Sequence, residues 1–338
     1  MVEKIKQLRI MTLEAGCVVI VLSAFLCGCE SKKKDDAGGG AVVAGERTFS
    51  SDLPLEVYVI PKVKTRWDLE QIGATPSDRP INIPRGASWA VKPIGQIDMN
   101  ILVREVATKK IPGLHLEPST PDAALTHLKG LTGLRTLNLN DTEITDAGLA
   151  HLKGLTGLRA LDLQRTKITD LGLAHLKGMT GLQELDLQET ETTDVGLTHL
   201  KGLTGLRELD LQFTKITDVG LAHLKNLTGL RVLYLGGWKI MDAGPKITDA
   251  GLSHLKGLTG LRELFLYNTK ITDSGLVHLK GMTGLQRLAL GRTSITDAGL
   301  THLKGLAKLQ RLTLSDTKIT DAGADSLRKA LPEADINN

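Results

Sequence analysis

From Leu131 onward, leucines recur on a fixed 24-residue spacing, and the polar residues between them recur with it. The first copy reads L-T-G-L-R-T-L-N-L-N-D-T-E-I-T-D-A-G-L-A-H-L-K-G over residues 131–154, and further copies start at Leu155, Met179, Leu203, Leu227, Leu258, Met282 and Leu306. We number these eight copies coils one to eight. Two periodicities alternate inside each copy. The opening L-x-x-L-x-L alternates apolar and polar positions as a strand does, with Leu137 and Leu139 turned inward. The second half, I-T-D-x-G-L-x-H-L-K-G, spaces Leu149 and Leu152 three apart on one face of a short helix. Thr145 or Asp146 is its N-cap, Asp146 suits the helix dipole, and Gly154 reads as a C′ glycine. A lone copy cannot bury both apolar faces, but a stack of copies can, so the period predicts a solenoid.

These residues resemble the leucine-rich repeat family. The strand half matches its L-x-x-L-x-L signature in all eight copies, and the match covers about 111–331. The resemblance implies an α/β solenoid, or horseshoe, with parallel strands on the concave face and short helices on the convex face. The family's ladder asparagine is replaced by Thr142, Thr166, Thr190, Thr214, Thr269, Thr293 and Thr317, whose hydroxyls are expected to bond the neighbouring coil's backbone. The I-T-D-x-G-L half is similar to the helix-bearing, cysteine-containing subclass found in F-box substrate receptors. Its cysteine and any F-box-like segment are absent here, so a ubiquitin-ligase role is not implied. The family serves many unrelated partners, so the fold alone names none.

Both ends of the array are atypical, as caps are. Residues 98–110 read as a helix, 113–116 as a strand, and 122–130 as the helix half of a degenerate first repeat. Residues 323–330 read as a polar helix stopped by Pro332. Residues 46–97, with six prolines, Trp67 and Trp89, predict a small β-rich segment that shields the open end of the solenoid. Residues 1–28 resemble a bacterial lipoprotein signal. Lys4, Lys6 and Arg9 precede a short apolar stretch, and Leu26-Cys27-Gly28-Cys29 is similar to the lipobox, with Cys29 lipidated. The apolar stretch, Cys17–Leu26, is shorter than the ~20 residues a span needs. The expectation is a domain outside the cytoplasm, held to a bacterial membrane at Cys29 through the tether 29–45. Cys17, Cys27 and Cys29 are the only cysteines, which leaves the repeats without a thiol nucleophile, disulfide or cysteine metal site.

The formal net charge of +4 over 338 residues is not the basic footprint of a nucleic-acid binder. Eight of nine histidines share one repeat position (His127 and His151 among them), but each sits on its own helix. Packed helices lie ~8–10 Å apart, so such rings do not converge on one zinc, and a repeated surface residue explains the column. No cofactor is expected. There is no G-x-S-x-G, H-E-x-x-H or phosphate loop, so no enzyme constellation is present.

The outward strand positions were expected to be free to serve a ligand. They form an acidic, amide-rich patch on coils two to four around Asp162, Asp186 and Asp210, an aromatic patch on coils four to six, and a basic edge at Arg287 and Arg311. The acidic column fits repeat copying, a basic partner or a bound calcium. Only ten aromatic residues occur in the chain, and five cluster here: Phe213, Tyr234, Trp238, Phe265 and Tyr267. Exposed aromatic clusters are typical anchors of interfaces. Coil five also carries seven extra residues around 241–247, beside Trp238. The leading expectation is therefore a non-catalytic module that binds another protein through this face, with Asp186 and Asp210 steering a basic rim. A glycan-binding surface and a spacer without a dedicated ligand are the alternatives.

Overall fold

A computed structural model of the chain describes residues 47–60, 70–77, 79–84, 87–237 and 246–337. These lie within one compact unit, Ala44–Asn338. The expected signal, tether and Cys29, together with Trp67, Trp238 and most of the 241–247 insertion, lie outside the described residues. Among the described residues no helix is long and apolar enough to cross a membrane.

Each coil contributes a three-residue strand: β7 Thr136–Asn138, β8 Ala160–Asp162, β9 Glu184–Asp186, β10 Glu208–Asp210, β11 Val232–Tyr234, β12 Glu263–Phe265, β13 Arg287–Ala289 and β14 Arg311–Thr313. All pair in parallel with their sequence neighbours in a 13-stranded sheet. The middle leucines, Leu137 through Leu312, face one another in register and are at most 2% exposed. Behind them each coil returns through a single helical turn, such as Asp146–Leu149, Asp170–Leu173 or Asp194–Leu200. Leu149 and Leu152 are both fully buried, as their spacing predicts. The apolar face of every strand thus meets the apolar face of every turn, and truncating one such leucine to alanine costs ~2–5 kcal/mol.

At the amino-terminal end, Gly113–His115 (β6) precedes β7, and Ser88–Pro93 (β5) joins β6 in parallel. Leu55–Ile60 (β2) and Glu70–Thr75 (β3) then extend the sheet antiparallel. Arg47–Phe49 (β1) and Ile81–Ile83 (β4) form a separate two-stranded ribbon. Phe49 lies on Trp89 with ring centroids 5.1 Å apart, so Trp89 is buried core. The helix Met99–Thr108 is capped by Asp98, whose carboxylate accepts from the Asn100 and Ile101 amides. The carboxyl-terminal helix spans Asp321–Ala330. It is followed by a strand absent from the sequence reading, Asp335–Asn337 (β15), which pairs with β14 and buries Ile336 on the last leucine.

Two details of the repeat differ from expectation. The threonines at the ladder position do not reach the next coil. Thr142 Oγ1 donates to Leu139 O at 2.6 Å, and Thr166 to Leu163 O and Thr214 to Leu211 O at the same distance, all within their own coil. A hydroxyl on a two-atom arm closes this local turn, whereas the longer asparagine it replaces could span further. Gly154 does not take a left-handed C′ conformation; Gly130, which ends the degenerate repeat before coil one, does, at φ 88°.

The cross-coil ladder is built instead from the T-D pair that opens each helix. Thr169 donates its amide to Asp146 Oδ1 at 2.8 Å and its hydroxyl to Asp146 Oδ2 at 2.6 Å. The same two bonds recur from Thr145 to Asp122, Thr193 to Asp170, Thr217 to Asp194, Thr248 to Asp218, Thr272 to Asp249, Thr296 to Asp273 and Thr320 to Asp297. Each Thr also caps its own helix, as Thr193 Oγ1 does by accepting from Val195 N. The glycine three residues past each of these threonines, which faces the preceding coil's Asp, follows from this geometry. A Cβ on Gly196 would run into Asp170 Oδ1 and stand 2.9 Å from Leu173 Cδ1.

Gly196→Ala is therefore expected to destabilise the solenoid, although alanine is favoured over glycine in an isolated helix by ~1 kcal/mol. Gly202→Ala, where nothing lies within 4 Å of the added carbon, is the matched control and should be near neutral. Asp194→Ala strands two donors of Thr217 and should cost about 1–3 kcal/mol. Urea denaturation of the three variants measures all three effects. A stabilised Gly196→Ala protein would refute the ladder.

Candidate functional site

The outward face of the sheet carries three rows of side chains, set by strand register. The first row runs Thr136, Ala160, Glu184, Glu208, Val232, Glu263, Arg287, Arg311. The second, two residues on, runs Asn138, Asp162, Asp186, Asp210, Tyr234, Phe265, Ala289, Thr313. The third runs Asn140, Gln164, Gln188, Gln212, Gly236, Tyr267, Gly291, Ser315.

The aspartates of the second row are not an exposed rim, which corrects the steering role expected of Asp186 and Asp210. Asp162, Asp186 and Asp210 are 1%, 6% and 3% exposed. Each Oδ1 accepts the backbone amide two residues on, from Gln164 at 2.9 Å and from Gln188 and Gln212 at 2.8 Å. The chain leaves the strand there, and the carboxylate takes up the amide where the short strand ends. Asn138 makes the same turn bond to Asn140 N and donates its side-chain amide to Asp162 Oδ2 at 3.0 Å. Stacking these acids at strand spacing pushes the Asp162 carboxyl up, through burial first and the Asp186 charge next, against the opposing pull of the Gln164 amide. Glu208 in the neighbouring row rises to about 8, through burial and then the charges of Glu184 and Asp210. Among the described residues no group of three or more His, Cys, Asp or Glu is placed to hold a metal ion.

The aromatic residues do come together, but sunk into the face rather than standing on it. Tyr234 and Phe265, adjacent in register, stack with centroids 4.4 Å apart and planes 11° from parallel. Tyr234 and Tyr267 are only 5% and 4% exposed. Glycines flank Tyr267 on both neighbouring coils: a Cβ on Gly236 would strike its backbone, and one on Gly291 would stand 2.7 Å from its ring. The Arg292 guanidinium lies 5.5 Å from the Tyr267 ring centroid. Phe213 sits at φ 57°, in the left-handed position that Asp141, Arg165, Glu189, Asn268, Arg292 and Asp316 share. Its backbone geometry is thus imposed by the repeat, and its ring lies against Gly237.

Over this floor opens a cavity of about 580 Å³, lined by Phe213, Tyr234, Phe265 and Tyr267 together with Arg165, Glu189, Arg287, Arg311, Ala289 and the amides of Gln188 and Gln212. Asp186 and Asp210 do not line it. Arg165 and Glu189 were missed in the sequence. Their shared position, just before the ladder threonine, turns side chains onto the rim through its positive φ, a conformation that the leucine pattern does not reveal.

A family model described as leucine rich repeat matches residues 132–191 and 180–240, and a second of the same description matches 305–327. The fold is a leucine-rich repeat solenoid. Domains of this kind commonly bind proteins, and neither match points to an enzyme. The solved structures similar to this chain include an internalin C2 from Listeria monocytogenes, 29% identical, covering 64% of this chain and 83% of that one with a TM-score of 0.49. A second internalin from the same organism is 26% identical and covers 67% of this chain and 71% of its own, with a TM-score of 0.43. No curated protein matches the chain.

The partly desolvated glutamates of the first row give this leucine-rich repeat face a pH dependence of definite sign. Glu208 is an acid raised from 4.5 to about 8, so the folded state is penalised increasingly as pH climbs through that window. Glu184, at the surface, and half-buried Glu263 are raised too, by partial desolvation, and act in the same direction. His115, depressed by burial to about 4, subtracts stability only as pH falls below its ordinary 6.5. Acidification from about 8 to 6.5 should therefore raise the melting temperature. Glu208→Gln should be more stable than the parent at the alkaline end and respond less to pH. A parent melting temperature that falls over this interval would show that the acids are not desolvated as described.

Proposed function

We propose that this chain is a membrane-anchored lipoprotein whose leucine-rich repeat solenoid is a non-catalytic module that binds another protein through its strand face. The observation that carries the reading is the cavity of about 580 Å³ over the stacked Tyr234–Phe265 pair. Interface energy concentrates where a desolvated aromatic surface is ringed by polar groups. Here the ring is formed by arginine and amide side chains, and the rigid sheet beneath holds it in place. Phe213 and Tyr267 form the edges of the site. Trp238 joins the proposal on sequence grounds alone. Anchoring rests on the lipobox-like Leu26-Cys27-Gly28-Cys29, with lipid on Cys29 holding the domain at a bacterial membrane outside the cytoplasm.

The burial of the aromatic floor decides how the reading is tested. Tyr234→Ala would remove core packing, and aromatic truncations of this kind cost ~3–5 kcal/mol, so lost binding would be uninformative. Ala289→Trp fills the cavity from its wall. Phe213→Asn removes one edge and installs a residue suited to φ 57°. Capture of an envelope protein by the parent, and its loss with both variants at unchanged melting temperature, is the expected result. Equal capture by all three would remove the cavity from the model. Separately, Cys29→Ser should abolish labelling by radioactive palmitate and move the chain from the detergent phase to the aqueous phase. Retained labelling would place the lipid elsewhere.

A further inference from the structure

The cavity is electrostatically one-sided. Across the first row the sign changes between adjacent strands: Glu184, Glu208 and Glu263 are followed by Arg287 and Arg311. Glu208 and Arg287 are three strands apart, roughly 14 Å at a strand spacing of ~4.8 Å. The cavity draws its lining from the basic pole and not from these glutamates. Arg165, Arg287 and Arg311 line it against one acid, Glu189. The two arginines of the row each have one carboxylate partner at long range. Arg287 Nη1 is 3.4 Å from Glu263, and Arg311 Nε is 3.7 Å from Asp335 with both side chains about 60% exposed. The exposed Arg311–Asp335 pair contributes little, so a ligand carboxylate can take the place of Asp335 at small cost, whereas Arg287 keeps its half-buried partner Glu263 and offers a ligand its remaining donors.

We propose that this cavity takes an acidic peptide segment of a protein partner, with one aromatic side chain on the Tyr234–Phe265 floor and a neighbouring carboxylate held by Arg287 and Arg311. The assignment rests on the reading of this face as the binding site and adds the chemistry of its occupant. A guanidinium fork matches a carboxylate in two parallel bonds, which an amide or hydroxyl ligand would not return. The floor favours a ring because offset stacking adds to area burial. The volume falls within the ~300–1,000 Å³ of sites that enclose compact ligands, ample for one ring and one carboxylate-bearing side chain. The side of the face that carries Glu184, Glu208 and Glu263 offers a ligand carboxylate no cation to match Arg287 and Arg311, so the segment is expected to lie with its carboxylate toward the arginines. A basic segment meets the opposite field and finds the arginines in its way.

The test is peptide display against the full chain, held in detergent, with a random dodecapeptide library. The parent is expected to enrich Asp or Glu next to Phe, Tyr or Trp. The doubly charge-reversed protein, Arg287→Glu with Arg311→Glu, should lose those sequences and gain Lys- and Arg-containing ones. A synthetic peptide of the enriched sequence should bind the parent about tenfold more tightly than Arg287→Gln with Arg311→Gln, and more weakly as salt is added. Melting curves certify that each variant is folded. Basic or charge-indifferent peptides that are enriched on the parent and lost on Ala289→Trp would overturn the acidic assignment while keeping the cavity as the binding site. Enrichment that Ala289→Trp leaves untouched would overturn the site itself. No enrichment on the folded parent would overturn the proposal.

Discussion

The paired bonds from each threonine to the aspartate one coil earlier govern the construction of this molecule. A coil's helical turn is four to seven residues long, too short to stand alone in water, where nucleation costs exceed the gain from one or two bonds. The preceding coil's carboxylate takes up the threonine amide and hydroxyl just where the turn begins, and the same threonine caps the turn it starts. Each coil is thereby placed against its neighbour by a directional contact, while the leucines supply the undirected attraction. The I-T-D-x-G-L phrase is a physical unit: isoleucine in the core, threonine as donor and cap, aspartate as acceptor for the next coil, glycine clearing the approach of the one before.

That constraint explains what the array tolerates. Coil five carries seven additional residues, yet Thr248 still bonds Asp218 at 2.8 and 2.6 Å, and Ile247 remains fully buried. The ladder and the leucine register set where a coil must begin and end, whatever number of residues the chain carries between them. Coil three makes a similar point in the core. Thr192 stands where other coils place isoleucine, is fully buried, and shares a 2.9 Å bond with Thr190. The cost of burying its hydroxyl is offset by that partner.

The outward face divides along the same lines. In coils one to four the second-row residue bonds backbone and is part of the frame, so the acidity of Asp162, Asp186 and Asp210 is a burden that the fold carries. In coils five to eight that bond is given up, and Tyr234, Phe265, Ala289 and Thr313 occupy the vacated row. The cavity lies where the frame has released its side chains, and the basic row beside it supplies the charge that the floor lacks.

The solenoid, its register and its buried leucines were legible in the sequence because a stacked repeat presents the same environment to each copy, so period alone locates inside and outside. The helix after residue 98, Thr145 as the start of a turn and the meeting of Tyr234 with Phe265 follow from spacing. The exposure of an outward side chain does not, because it depends on neighbours one and two coils away. Asp186 and Asp210 looked free by alternation and are buried by the amides they accept. Tyr267 looked exposed and is sunk between Gly236 and Gly291. The direction of the ladder was likewise hidden, since threonine at Thr142 and threonine at Thr145 have the same chemistry. Only the distance between coils, set by packing across the whole stack, gives the cross-coil bond to the second.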